Sequence, residues 1–159
     1  MSTHDEALRA QLAEFLNWKN AHVDFDTVVK GIAPRMRGAL PKGFAHSLWQ
    51  LVEHMRTAQA DIVDFCVNPQ YEHTMKWPDD YWPKASPRNQ AAWSKAIAGF
   101  RRDLKAMQQL AMDRSVDLFA KIPHGSGQTY LREILLVADH NAHHLAQLID
   151  VRRALGIWK

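Results

Sequence analysis

The chain has 159 residues, 47% of them hydrophobic, enough for one domain to bury a core without disulfides or a structural metal to hold it. Lys and Arg number 20 against 17 Asp and Glu, and the net charge of +3 comes with no basic stripe, which argues against nucleic acid as a partner. One cysteine, Cys66, excludes a disulfide framework and a Cys-rich zinc set, and fits a reducing compartment.

The polar, acidic start from Met1 to Glu6 is unlike the basic start of a signal peptide. The longest apolar runs, such as Ile134 to Ala138, are too short to cross a bilayer. A soluble cytoplasmic protein with no membrane contact is therefore expected. Nine His and six Trp are a heavy load for this length.

In chain order, Thr3 and Glu6 have the spacing of a capping box, a hydroxyl followed three residues later by a carboxylate. Leu8, Leu12, Phe15, His22, Phe25, Val29 and Ile32 then recur at helical steps, which predicts one helix over about 4–32 with His22 in the core. Pro34 ends it, and 38–43 is a connection. Ser47 with Gln50 repeats the capping-box pattern and predicts a second helix over 48–67, closed by Asn68-Pro69. The following stretch to Ser86 carries three prolines together with Tyr71, Trp77, Tyr81 and Trp82, and reads as a long aromatic loop. Ser86-Pro87 begins a third helix over about 87–115. A turn-rich break at 122–127 precedes a last helix over about 129–155, with Gly156 as its stop. Arg101-Arg102 and Arg152-Arg153 read as solvated helix faces. Four amphipathic helices without a strand pattern predict an all-α, antiparallel four-helix bundle, a single domain over 1–159.

The segment Asp139-His140-Asn141-Ala142-His143-His144 carries the chemistry. At about 100° per residue, His140 and His144 stand one turn apart on one stripe, about 40° from each other. That stripe continues through Val137, Gln147 and Val151, an inward-facing set. Two imidazoles so placed can converge on one ion, as in the helical His-Glu-x-x-His motif. His143 lies three residues from His140, a spacing that also serves metal ligands, so geometry leaves His140/His144 only slightly ahead; the plain reading of His143 is an edge residue or a hydrogen-bonding neighbour. A third ligand is needed. His54 is the best-placed helical candidate, on the stripe Ser47, Leu51, His54, Ala58, Asp61, although a histidine there is by itself more often a packed residue. His4, His46, His73 and His124 fall in a first turn, before a cap, or in loops.

Two segments together resemble the DinB/YfiT-like superfamily of metal-dependent bundle proteins. One is Ser47-Leu48-Trp49-Gln50-Leu51-Val52-Glu53-His54 with Ala58 to Ile62; the other runs from Leu131 to Leu135, through His140 to His144, to Gln147 and Arg152 to Gly156. The resemblance implies one divalent metal ion, held by His54, His140 and His144, with Zn²⁺ or Ni²⁺ foremost and Fe²⁺ as a further candidate. It implies a thiol-dependent S-transferase, since relatives include thiol transferases and a mycothiol-dependent isomerase. The partners would be a small-molecule substrate and a low-molecular-weight thiol, and the family often forms homodimers.

Three neutral imidazoles leave such an ion its full charge and an open position. The alternatives are a metal-dependent hydrolase, in which the ion activates water, and a non-catalytic stress-response binding protein with a structural metal. Gln50, Asp61, His143 and Gln147 are candidates to orient the imidazoles through their other nitrogens, and Trp77, Tyr81 and Trp82 are candidate walls of a pocket over the metal. No catalytic side chain is expected beyond the metal-bound water or thiolate. Cys66 reads as a core or helix-end residue.

Overall fold

A computed structural model describes residues 3–17, 21–83 and 90–158. Six helices lie among them: α1 (Thr3–Phe15), α2 (Phe25–Val29), α3 (Pro34–Arg37), α4 (Leu48–Val67), α5 (Gln90–Met112) and α6 (Tyr130–Ala154). The four long ones, α1, α4, α5 and α6, make an all-α bundle. Among the described residues there is no strand, only an isolated bridge between Lys121 and Thr129. No helix there is long and apolar enough to cross a membrane.

The single helix expected over 4–32 is broken. Asp24 is buried and in extended conformation; its carboxylate accepts from Thr27 N at 3.0 Å and from Thr27 Oγ1 at 2.5 Å, so it caps a new helix, α2. Hydrophobic spacing survives the break because Phe25, Val28 and Val29 still face the core, which hides the interruption from a periodicity reading. His22 sits before this cap and is exposed rather than in the core. Gly31, at φ +72, turns the chain after α2 in a conformation costly to any other residue type. Helix α1 already includes Thr3, so its hydroxyl is not the cap; the first-turn carboxylate of Asp5 instead pairs with Arg9 at 2.9 Å. The expected start at Ser86-Pro87 lies outside the described residues.

Two helix ends follow the sequence closely. Ser47 Oγ accepts from Gln50 N while Gln50 Oε1 accepts from Ser47 N at 3.0 Å, the reciprocal capping box of α4. At the other end of the chain Thr129 caps α6, which stops at Gly156 with φ +70.

Helix α4 packs against both α5 and α6, with α1 on α5 and α2 on α6. Leu48, Leu51, Val52 and Met55 from α4 meet Phe100 and Met107 from α5 and Ile134, Val137 and Leu148 from α6 in one core. Phe25 stacks on Phe100 with ring centroids 3.8 Å apart. Gln59 ties α4, α5 and α6 together inside this core: its Nε2 donates to Phe100 O at 2.7 Å and its Oε1 accepts from Asn141 Nδ2 at 2.8 Å.

Arg152 departs from the expected solvated face. It is buried, donates to the backbone oxygens of Val28, Lys30 and Ile157, and lies 4.7 Å over the Trp158 ring. Arg9 does the same at the end of α5, donating to Ala111, Asp113 and Val116 oxygens at 3.2, 2.8 and 2.8 Å. Carbonyls left over at helix ends need donors, and a guanidinium offers five of them in one plane. Arg101 and Arg102 are exposed, as expected, and pair with Asp26 and Asp103.

Candidate metal centre

His54 lies on α4 between Leu51 and Met55 on the core side and is only 1% exposed. His140 and His144 lie one turn apart on α6, the first half-buried and the second buried. Because α4 and α6 pack directly, the three rings meet, with one ligand atom from each lying within 4.8 Å of the others. His54 Nε2 is 3.1 Å from His144 Nε2 and 3.1 Å from His140 Nε2.

The far side of two rings decides what faces inward. His54 Nδ1 is 3.0 Å from the backbone oxygen of Tyr81, and His144 Nδ1 is 2.7 Å from Gln147 Oε1. A carbonyl oxygen only accepts, so the proton of each neutral ring sits on Nδ1 and the Nε2 lone pairs of His54 and His144 point at each other. A proton on His140 Nε2 could serve one of these lone pairs and not both. Charging a ring is opposed by burial first and by the neighbouring imidazoles second: His140 is pushed down to about 3, His144 to about 4, and His54 downward as well.

A divalent cation resolves the clash. Metal–nitrogen bonds of about 2.0–2.1 Å at a tetrahedral angle set neighbouring nitrogens about 3.3 Å apart, close to the separations here. The three histidines could therefore hold one metal ion, and their outer partners are of the kind that orient ligating imidazoles.

Around this trio the loop after α4 supplies an aromatic cover. Trp82 stacks flat on His54, centroids 3.8 Å apart and planes parallel, and stacks on His46 at 3.7 Å with its planes 10° from parallel. Trp82 therefore covers a ring of the trio, whereas Trp77 and Tyr81 line the neighbouring cavity. Tyr81 is buried, and its hydroxyl donates to Asp61 at 2.6 Å while its backbone oxygen holds His54. Tyr71 donates to the other Asp61 oxygen at 2.9 Å.

Of the four candidate orienting residues, Gln147 touches a ring of the trio directly. His143 is exposed and accepts from Gln147 Nε2 at 3.1 Å, and its ring meets the His144 ring edge-on with centroids 4.9 Å apart. Gln50 is committed to the α4 cap, and its bond to Pro83 O is long at 3.5 Å. Asp61 bonds to two tyrosine hydroxyls, so its influence on His54 runs through Tyr81. Cys66 is buried, and burial pushes its thiol up to about 12, which fits a packed residue.

A cavity of about 430 Å³ adjoins His140, walled by Ile62, Phe65, Tyr71, Trp77, Tyr81 and Leu136, with Asp61, His73, Arg132 and Glu133 also on its surface. Sequence reasoning passed over His46, Tyr71 and Glu133. Tyr71 belonged to the aromatic loop and could have been found there. Nothing in the spacing of His46 or Glu133 marks them.

A family model described as the DinB superfamily matches residues 6–148, a span that contains all three histidines. No curated protein and no solved structure matches the chain. With the match covering most of the sequence and the helical bundle in place, the chain belongs to the DinB superfamily.

Proposed function

We propose that the chain is a metal-dependent enzyme that adds a low-molecular-weight thiol to a small electrophile. The observation that carries this reading is the convergence of three Nε2 atoms, two of them with protons fixed on the opposite nitrogen, beside a cavity that reaches His140. Zn²⁺ and Ni²⁺ suit an all-imidazole set, and Fe²⁺ is compatible with it. An ion held there would supply the positive charge that keeps a thiol in its ionised, nucleophilic form near neutral pH.

The residues of the chain do the rest. Tyr81 O and Gln147 Oε1 keep the Nδ1 protons of His54 and His144 in place, so both rings present lone pairs inward. Trp82 covers one face of His54 and excludes water from it. His140 borders the cavity, where a substrate would meet the centre. Thiol transfer is favoured over hydrolysis because water attack profits from a free carboxylate base. Both carboxylates at the cavity are engaged, Asp61 by two tyrosine hydroxyls and Glu133 by Arg132. A cavity of this volume at the centre is also more than a purely structural ion would need.

Protein loaded with Zn²⁺ or Ni²⁺ and offered a panel of thiols with a chromogenic electrophile should consume the electrophile only when a thiol is present. Replacement of His140 and His144 by alanine should abolish the reaction. Turnover without thiol would point to hydrolysis, and activity surviving the double replacement would end the proposal.

A further inference from the structure

The polar groups on the cavity wall are bonded mainly to one another. Asp61 accepts from Tyr71 and Tyr81 at 2.9 and 2.6 Å, and the Tyr71 oxygen lies 2.9 Å from His73 Nδ1. Arg132 pairs with Glu133. What is left to face a ligand is chiefly hydrocarbon and aromatic surface from Ile62, Phe65, Leu136, Tyr71 and Trp77. Among the described wall residues two carboxylates stand against one guanidinium, so the cavity carries a formal charge of −1 with His73 neutral. Trp77 is 70% exposed, the highest value for a large hydrophobic side chain among the described residues, and it stands at this cavity. An apolar hollow with an uncovered indole beside it gains by being covered, because apolar area leaves water.

Resting on the function proposed above, the geometry points to this cavity as the acceptor subsite, built for an uncharged molecule that carries an aryl group, packed among Phe65, Tyr71 and Trp77 with its reactive end toward His140. Aromatic rings suit such walls through edge and offset contacts. In the metal-free protein an anion would enter against that excess negative charge, and the one guanidinium on the wall is already paired with Glu133. Small cellular thiols carry carboxylates, ammonium groups or sugars. Their polar groups make them poorer occupants of these apolar walls than an aryl molecule.

Two naphthalenes of equal ring size test the charge and shape claims together. 1-Naphthalenemethanol and 1-naphthoate would be titrated by calorimetry into the metal-loaded protein and into the chelator-treated protein, with folding checked by circular dichroism. The metal-free form carries the comparison of charges, since a carboxylate could ligate an ion directly. The alcohol should bind both forms within a factor of three, naphthoate should bind the metal-free form at least tenfold more weakly, and Trp77→Ala should weaken the alcohol at least tenfold. Equal or tighter naphthoate binding to the metal-free protein, or no effect of Trp77→Ala, overturns the subsite. Loss of metal in His140→Ala with unchanged naphthalenemethanol binding would leave the subsite standing. Failure of the thiol assay alone would sink only the function proposed for it.

Discussion

Tyr81 holds His54 by its backbone and Asp61 by its side chain: its carbonyl oxygen lies 3.0 Å from His54 Nδ1, and its hydroxyl donates to Asp61 at 2.6 Å. Asp61 is seven residues beyond His54 on α4, so the loop is tied back onto the same helix it follows. The position of the loop thus fixes which nitrogen of His54 faces the other two histidines. Removing the Tyr81 hydroxyl should loosen that grip without touching the carbonyl. Tyr81→Phe should weaken metal binding about tenfold, the low end for an outer partner of a ligating imidazole, and cost about 1 kcal/mol of stability. Competition with a chromogenic chelator and urea unfolding would measure the two effects, and unchanged metal affinity would break the link.

Metal content should follow the trio and not the neighbouring histidine. Elemental analysis of protein purified without a polyhistidine tag should give one equivalent for wild type and for His143→Ala. Each of His54→Ala, His140→Ala and His144→Ala should lose most of it, because two imidazoles do not make a strong site. With free metal about 1,000-fold above its dissociation constant, wild type should gain about 4 kcal/mol that the three variants lack.

Acid should destabilise the metal-free protein. Burial holds His140 at about 3 and His144 at about 4 in the folded state, with His54 also lowered, while an unfolded chain titrates near the ordinary value of about 6.5. Below about pH 6.5 the unfolded state takes up more protons, so stability is full above that pH and declines as pH falls toward 4 and then 3. The urea midpoint of the metal-free wild type should drop between pH 7 and 4.5, and drop less in a His140→Ala/His144→Ala variant. Parallel declines would remove the buried imidazoles as the cause.

Gln147 and Gln50 should separate cleanly. Gln147→Ala removes the acceptor for His144 Nδ1 and should weaken metal binding about tenfold with little change in stability. Gln50→Ala breaks the cap of α4 and should cost about 1 kcal/mol while leaving metal affinity within a factor of two. The same chelator competition and urea unfolding distinguish them, and an exchange of the two phenotypes would reverse the assignment.

Arg9→Met should be among the more damaging changes far from the centre. It leaves the Ala111, Asp113 and Val116 carbonyls without their donor and removes the ion pair with Asp5, at an expected cost of about 3 kcal/mol. Denaturant unfolding should show this loss, while metal stoichiometry at low temperature stays at that of wild type.

Helices α4 and α6, the Ser47–Gln50 cap, the Gly156 stop and the facing of His140 and His144 were legible in the sequence, because each depends on residues within one turn of each other. The break before α2 was hidden, since Phe25, Val28 and Val29 keep the apolar period on both sides of the buried cap at Asp24. Spacing alone left His54 as a packed helix residue, and the family resemblance was needed to join it to the other two. Only the packing of α4 on α6 brings their Nε2 atoms to 3.1 Å, and only the fold of the loop gives His54 the Tyr81 carbonyl and the Trp82 face. Local pattern determines which side of a helix a residue occupies. Which atoms meet across helices, and which nitrogen keeps the proton, is decided by contacts between residues far apart in the chain.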